Sequence, residues 1–151
     1  MTGRIVRCPI ESRVLANADG DLDIFELTAG ANNKLELIKF RFESNAIAAE
    51  SYPLRLVRRS TAGSAGAAGI EVLNDEDDGA ITAACVFDNT TVGTIGAILS
   101  GYAWEQLGPL EEIFLPEERP MVGEGGRICL NAAAAIPTDS TISGYVVWRE
   151  I

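Results

Sequence analysis

Residues 34–44, KLELIKFRFES, decide the fold, because apolar and charged side chains alternate through them with a period of two. Such alternation is typical of a β-strand with one buried and one exposed face. The apolar positions change parity between Leu37 and Ile38. A one-residue change of parity requires a bulge, or a bend that takes the strand from one sheet to another. We therefore expect a corner of a β-sandwich at this position.

Segments with the same period recur along the chain, and turns rich in glycine, asparagine and proline separate them about every ten residues. They amount to about eight to ten candidate strands. A chain of 151 residues has the length of one domain. We predict an all-β, single-domain antiparallel β-sandwich or jelly roll over residues 1–151, with residues 1–10 as a candidate extended N-terminal arm.

Particular residues predict the positions of individual strands. Pro9 and Pro53 have no backbone N–H to donate, which favours edge strands. The segment that contains Pro53 follows residues 34–44 along the chain and is predicted to pair with them. Residues 141–151 are apolar on both faces, which favours a strand that is central or covered by a neighbour. Trp104 is predicted to be an anchor of the core.

The charge of the chain excludes some partners. The formal net charge is -10, with 12 basic and 22 acidic residues. Such a charge disfavours nucleic acid and anionic lipid as partners, and no apolar run is long enough to span a membrane. Arg119 is the only base between Asp75 and Glu124. We expect an acidic region separate from a basic one, which suits oriented docking or head-to-tail self-association; solvated loops that keep the protein soluble are the alternative.

Cysteines and the start of the sequence bear on the compartment. The first residues lack the apolar core of a signal peptide. We therefore expect the protein to act where it is made, in the cytoplasm, or on a particle assembled there. Three widely spaced cysteines in apolar settings, Cys8, Cys85 and Cys129, are predicted to be buried free thiols and not a disulfide framework.

Few of the usual catalytic and metal-binding residues are present. The chain has no histidine, so zinc sites fail on ligand count, and a serine or cysteine hydrolase lacks its usual base. The surviving enzymatic option is a carboxylate pair, either Glu111 with Glu112 or Glu117 with Glu118. Neighbours in sequence on a strand point to opposite faces. We therefore expect a protein that is not an enzyme and that uses no cofactor and no metal.

Two polar segments invite other interpretations. Residues 74–79, NDEDDG, offer hard oxygen ligands, but an EF-hand loop with its glycine at Gly79 would need a glutamate at the position of Cys85. A solvated turn and a calcium site of another kind both remain open. Residues 61–69, TAGSAGAAG, lack the lysine and the following helix of a phosphate-binding loop. They are interpreted as a mobile surface loop.

A set of segments distributed over nearly the whole chain resembles the head decoration, or cement, proteins of tailed bacteriophages. The resemblance is one of strand order and composition. The segments that carry it are FELT at residues 25–28, LELIKFRFES at 35–44, LRLVRR at 54–59 with the small-residue loop that follows, Trp104 ahead of PEERP at 116–120, and SGYVVWREI at 143–151.

The resemblance implies a β-sandwich on the outside of an icosahedral head, where it bridges capsomers and resists the internal pressure of the DNA. The implied partners are the major capsid protein and further copies of the chain, as a homodimer or homotrimer. The implied location is the capsid exterior, after synthesis in the host cytoplasm.

Exposed guanidinium groups on a strand face can form bidentate pairs with carboxylates. On this ground arginines near the start of the chain and in the segment around residue 57 are the candidates for docking to an acidic capsid surface. The residues predicted to contact the capsid or another copy are Arg4, Ile5, Arg7, Arg55, Arg58 and Arg59. The alternative function is a carbohydrate-binding or host-attachment module of a phage tail or fibre, which predicts exposed aromatic side chains beside the acidic loops.

Overall fold

The computed structural model describes residues 3–15, 21–47, 50–133 and 141–151, with the side chain of Tyr52 left out. Within these ranges it contains twelve β-strands and one 3-10 helix, Pro116–Glu118. No helix there has the length and hydropathy that would be needed to cross a membrane. The strands are β1 (Arg4–Val14), β2 (Leu22–Thr28), β3 (Leu35–Ser44), β4 (Ser51–Arg59), β5 (Ala67–Ala68), β6 (Val72–Leu73), β7 (Ala84–Asn89), β8 (Ile95–Glu105), β9 (Leu110–Ile113), β10 (Met121–Val122), β11 (Arg127–Ala132) and β12 (Thr141–Glu150).

The strands form two six-stranded sheets in which every pair is antiparallel. Sheet A has the order β10-β3-β12-β1-β6, and β9 also pairs with β3. Sheet B has the order β5-β7-β2-β11-β4-β8. The predicted antiparallel β-sandwich is confirmed. Nine of the strands have four or more residues, within the predicted range, and the other three have two residues each.

The core lies between the two sheets, where the apolar sides of their strands meet. Phe25 of sheet B has its ring centroid 5.6 Å from that of Phe40 and 6.0 Å from that of Phe42, both of sheet A. Trp104 and Trp148 are also buried. The indole Nε1–H of Trp104 donates to the backbone oxygen of Gly108 at 2.9 Å, so its burial leaves this donor satisfied. The prediction that Trp104 anchors the core is confirmed.

Of the two alternatives for the parity change in β3, a bulge or a bend between sheets, the structure has the bulge, at Ile38. The pairing of β3 with β12 passes from Lys39 opposite Val147 to Leu37 opposite Trp148, which leaves Ile38 as the extra residue. The predicted corner is wrong, because β3 stays in sheet A along its whole length. A bulge alone restores the parity of the buried side chains, so the strand has no need to change sheets.

The sequence predicted that β4 pairs with β3, and this prediction is wrong. Strand β4 lies in sheet B between β11 and β8. Proximity along the chain was a poor guide, because β3 belongs to sheet A and β4 to sheet B. Pro53 therefore belongs to an interior strand. However, β11 pairs only with residues 55–59 of β4, so in the described chain Pro53 has a ladder partner on the β8 side alone, Ala103. The missing N–H of Pro53 is tolerated because no described strand pairs with the proline on the β11 side, as at the edge of a sheet.

The two ends of the described chain pair with each other in the middle of sheet A. Strand β12 lies between β3 and β1, so of the two positions predicted for residues 141–151, central or covered by a neighbour, the central one is confirmed. Arg4 to Ile10 pair with β12, so this segment is an integral strand and the prediction of an extended arm is wrong for it. Met1 and Thr2 lie outside the described residues. Among the described strands, only β12 and β6 pair with β1, and β6 reaches only Val6 and Arg7, so Pro9 has no ladder partner on that side, as predicted for an edge.

Candidate functional site

The six residues predicted to contact a partner do not form one patch. Arg4, Ile5 and Arg7 lie on β1 in sheet A, whereas the three arginines of β4 lie in sheet B. A single docking surface therefore cannot contain all of them. Each group is best described by the contacts of its own side chains.

Arg7 lies on the outer face of sheet A, because its neighbours Val6 and Cys8 are fully buried on the inner face. Its guanidinium carbon is 4.6 Å from the centre of the Tyr145 ring, and the Lys39 Nζ is 5.6 Å from the same centre. Both distances are within the range of cation–π attraction. We call these three residues, Arg7, Lys39 and Tyr145, the basic face.

Other charges on sheet A have partners close by. Arg41 forms ion pairs with Glu43 and with Glu111, and Arg149 lies 3.4 Å from Glu36. In the described part of the chain, no carboxylate lies within ion-pair distance of Arg7 or Lys39. Their charges are therefore available to an anionic group from outside.

Arg4 and Ile5 are engaged within the molecule. Arg4 forms an ion pair with the buried carboxylate of Glu150. The same carboxylate accepts hydrogen bonds from the backbone N–H of Thr82 and of Ala83, so it fastens the segment before β7 to sheet A. The backbone oxygen of Ile5 accepts from the N–H of Asn74 at 2.8 Å. These contacts assign both residues a role in holding the fold.

The arginines of β4 are also engaged. Arg59 is buried and forms an ion pair of 2.7 Å with Asp23, which contradicts the expectation that its guanidinium faces solvent. Arg55 Nε donates to Asn131 Oδ1 at 2.9 Å, and Arg58 Nη2 donates to the backbone oxygen of Met121 at 3.2 Å. Sequence alternation placed Arg55 and Arg59 on the polar side of β4 but could not show that this side is covered.

A buried polar cluster lies on the outer face of sheet B. Its members are Asp23, Glu26, Arg59, Cys129 and Asn131, all of which are buried. Asp23 Oδ1 accepts from Arg59 Nη2 at 2.7 Å and from Asn131 Nδ2 at 3.0 Å. The thiol of Cys129 lies 4.0 Å from Glu26 Oε2. Neighbouring antiparallel strands β2, β11 and β4 bring these side chains together on one face.

The loop of small residues that precedes β5 covers this cluster. The N–H of Gly63 donates to Glu26 Oε2 at 2.8 Å, and the Arg59 Nη1 donates to the backbone oxygen of Gly93 at 2.9 Å. A Cβ at Gly63 would lie 2.7 Å from Asn89 Nδ2, so only glycine allows this close approach. The predicted surface loop is thus anchored through Glu26, a contact that its own composition did not reveal.

The cluster contains the one group of potential metal ligands in the described chain, since oxygen or sulfur atoms of Asp23, Glu26 and Cys129 lie within 4.8 Å of one another. The surrounding charges do not suit a metal. The guanidinium of Arg59 already neutralises Asp23, and burial raises the pKa of the Cys129 thiol, which therefore keeps its proton. We assign the cluster to the folding of the outer loop and not to catalysis.

Asp23 gives this cluster a dependence on pH. Burial raises the pKa of Asp23 above its ordinary value of 3.8, against the opposing effect of Arg59. A raised pKa in the folded state means that its contribution to stability is complete below pH 3.8 and declines as the pH rises through the folded value. We therefore compare the free energy of unfolding of the wild type with that of Asp23→Asn. The wild-type value minus the variant value should decrease as the pH rises from 3.8 through the folded pKa of Asp23. Urea denaturation of both proteins at a series of pH values measures it, and an increase would contradict the assignment.

The three cysteines are buried and free, as predicted. Burial also raises the pKa of Cys85 and Cys129. Only the thiolate reacts readily with alkylating agents. We expect iodoacetamide to leave all three thiols unmodified in the folded protein and to modify all three in denaturant, as counted by intact-mass spectrometry. Rapid alkylation of any of them under native conditions would show that the structure opens there.

The acidic segments do not gather their carboxylates. Residues 74–79 are exposed, and Asp75 Oδ1 accepts from the N–H of Asp77 at 3.1 Å, the pattern of a polar turn. Glu111 and Glu112 are adjacent on β9, where neighbouring side chains point to opposite faces, and Glu111 pairs with Arg41. Glu117 and Glu118 are exposed on the 3-10 helix. These placements favour the solvated turn over a calcium site and provide no convergent acid and base.

Comparison with known proteins gives no relative from which a function can be carried over. No family description matches the chain, and neither the curated proteins nor the solved structures contain a significant match. The geometry of the surface is therefore the source of the functional argument, together with the resemblance noted in the sequence.

Proposed function

We propose that this protein is a structural component of a tailed-bacteriophage virion, which binds the outside of the capsid and stabilises it by bridging capsomers. Besides the resemblance in sequence, one observation supports this proposal. The basic face presents two cations on the outer side of a sheet, neither with a carboxylate partner among the described residues, in a chain whose net charge is -10. An unpaired basic patch on an acidic protein is suited to oriented docking on an acidic protein surface.

The chemistry of the basic face favours carboxylates as its ligands. The planar guanidinium of Arg7 can form two parallel hydrogen bonds with one carboxylate, and Lys39 adds a second positive charge on a neighbouring part of the sheet. Stacking of both cations on Tyr145 restricts the positions that they can adopt. In this proposal the partner is the major capsid protein, and no cofactor or enzymatic step takes part.

A single exposed ion pair contributes only about 0.2–1 kcal/mol, so one basic face does not account for stable attachment. An oligomer that engages several capsomers at once would raise the effective affinity without new kinds of contact. Bridging and reinforcement would then follow from the same multivalent attachment. A homodimer or homotrimer is accordingly part of the proposal.

The proposal is tested by co-sedimentation of the purified protein with empty phage heads that lack it. We expect saturable binding that weakens as the salt concentration rises, because exposed charge pairs are screened. The double variant Arg7→Glu/Lys39→Glu should lose binding by about tenfold or more. Lys34→Glu, which makes the same charge change at an exposed position outside the basic face, is the matched control and should bind as the wild type does.

The outcomes separate the function from the surface. Absence of saturable binding by the wild type would contradict the proposed function. Equal binding by the wild type and the double variant would contradict the basic face as its docking surface. Glycan binding without head binding would instead support a carbohydrate-binding module of a tail or fibre.

A further inference from the structure

Most free sheet edges in the described chain are short, but one is long. Sheet A ends at β6 on one side and at β9 and β10 on the other, and these strands have two, four and two residues. Sheet B ends at β5, with two residues, and at β8, with eleven. Among the described strands, β8 pairs with β4 alone. Its pairing with β4 shifts register twice in its first half, and the regularly paired part, residues 100–105, extends for about 20 Å at about 3.4 Å per residue.

The free side of β8 lacks charge and proline, two of the features that protect sheet edges from pairing. From Ile95 to Trp104 it has no charged residue and no proline, and Ile98 is 61% exposed. The open part of β1 makes the contrast, because it carries a proline and charged side chains. A long, uncharged edge with free N–H and C=O groups is a template for another strand.

The backbone of β8 is oriented to make such pairing possible. The N–H of Gln106 donates to the backbone oxygen of Glu50, on the β4 side. Because these groups alternate along a strand, Gly101 and Ala103 direct their N–H and C=O groups to the free side. Their side chains are minimal and exposed, whereas the neighbouring Tyr102 and Trp104 pack into the core. A second strand can therefore approach without displacing the core.

The two ends of the β8 edge carry opposite charges, so this edge is complementary to the same edge of a second, antiparallel copy. Glu105 ends β8 opposite Ser51, beside Glu50, and makes that end acidic. At the other end Ile95 pairs with Arg59, whose charge Asp23 neutralises, and the neighbouring Arg58, which forms no ion pair within the described residues, makes this end basic. When two copies of β8 lie antiparallel, the acidic end of each faces the basic end of the other, and the uncharged middle segments meet. The symmetry is that of an isologous dimer.

We propose that the free edge of β8 pairs antiparallel with β8 of a second copy, so that the two sheets B form one continuous sheet across a two-fold axis. This inference rests on the proposed function in one respect, because it assigns the surface of the proposed homo-oligomer. It concerns sheet B, whereas head binding is assigned to the outer face of sheet A. The two surfaces can therefore be tested separately.

The test is the molecular mass in solution, measured by sedimentation velocity over a range of protein concentrations. We expect the wild type to reach twice the chain mass of 16.1 kDa. Ile98→Lys places a charge on β8 and should weaken the dimer by about two orders of magnitude. Ile113→Lys, on the short edge strand β9, is the matched control, because Ile113 is 62% exposed and Ile98 is 61% exposed. This control should leave the dimer intact.

A second variant tests the backbone contacts directly. Ala103→Pro removes an N–H that faces the free side and leaves the ladder to β4 in place, so it should also weaken the dimer. A monomeric or trimeric wild type would overturn the proposal, as would a dimer unaffected by both β8 variants. A dimer that fails to bind heads leaves this inference standing and contradicts the proposed function. A head-binding trimer contradicts this inference and leaves the proposed function standing.

Discussion

Asp23→Leu is expected to lower the free energy of unfolding by about 3–5 kcal/mol, one of the two largest effects of a single substitution that we expect. The substitution leaves the guanidinium of Arg59 without its carboxylate partner, and the Arg59 side chain is only 1% exposed to solvent. Arginine cannot shed its proton to escape this cost. The destabilisation is measured by denaturation in urea, with the midpoint and slope fitted separately.

Two companion variants identify the source of the effect. Arg59→Met leaves the buried carboxylate of Asp23, which can become neutral by taking up a proton, so its cost should be smaller. The double variant Asp23→Leu/Arg59→Met removes both charges and should recover much of the loss, because a buried ion pair can often be replaced by apolar side chains. If Asp23→Leu costs no more than an exposed substitution, the pair does not hold the cluster together.

Phe40→Ala is expected to lower the free energy of unfolding by about 3–5 kcal/mol as well. Phe40 is fully buried at the centre of the aromatic core, where its ring centroid lies 5.6–6.4 Å from those of four other rings. Truncation removes the apolar contacts of both sheets at once and leaves a cavity that rigid strands fill poorly. The other four rings belong to Phe25, Phe42, Tyr102 and Phe114.

A conservative change and a peripheral one provide the controls for this site. Phe40→Leu keeps most of the volume and should cost much less than the alanine variant. Phe114→Ala removes a ring that is 7% exposed at the border of the cluster, and it should cost less than Phe40→Ala. Equal losses at the two phenylalanines would falsify the central position of Phe40 in the energetics of the core.

The two proposed surfaces have a consequence for assembly. The basic face belongs to the outer side of sheet A, and the β8 edge belongs to sheet B. A dimer joined through β8 would therefore keep both copies of the basic face free for a partner. A dimer attached through both copies of the basic face would bind multivalently, whereas a single basic face binds weakly.

Some features followed from the sequence because they depend on local alternation. The period of two along residues 35–44 predicted a strand, and the change of parity located the irregularity that the structure shows as a bulge at Ile38. The apolar faces of residues 141–151 predicted a central strand. Each of these depends on which side chains share a face, and a strand fixes that relationship through its own backbone geometry. Arg7 was predicted as a contact residue by the same logic.

The tertiary structure decided which strands are neighbours and what covers each face. Alternation placed Arg59 on a polar face, but the loop through Gly63 that covers this face comes from another part of the chain. The register in which β12 pairs with β1 and β3 brings Lys39 and Tyr145 beside Arg7. The uncharged composition of β8 was visible in the sequence, yet its position at an edge depended on the order of the strands. Such features require contacts between distant segments, and local backbone geometry carries no information about their partners.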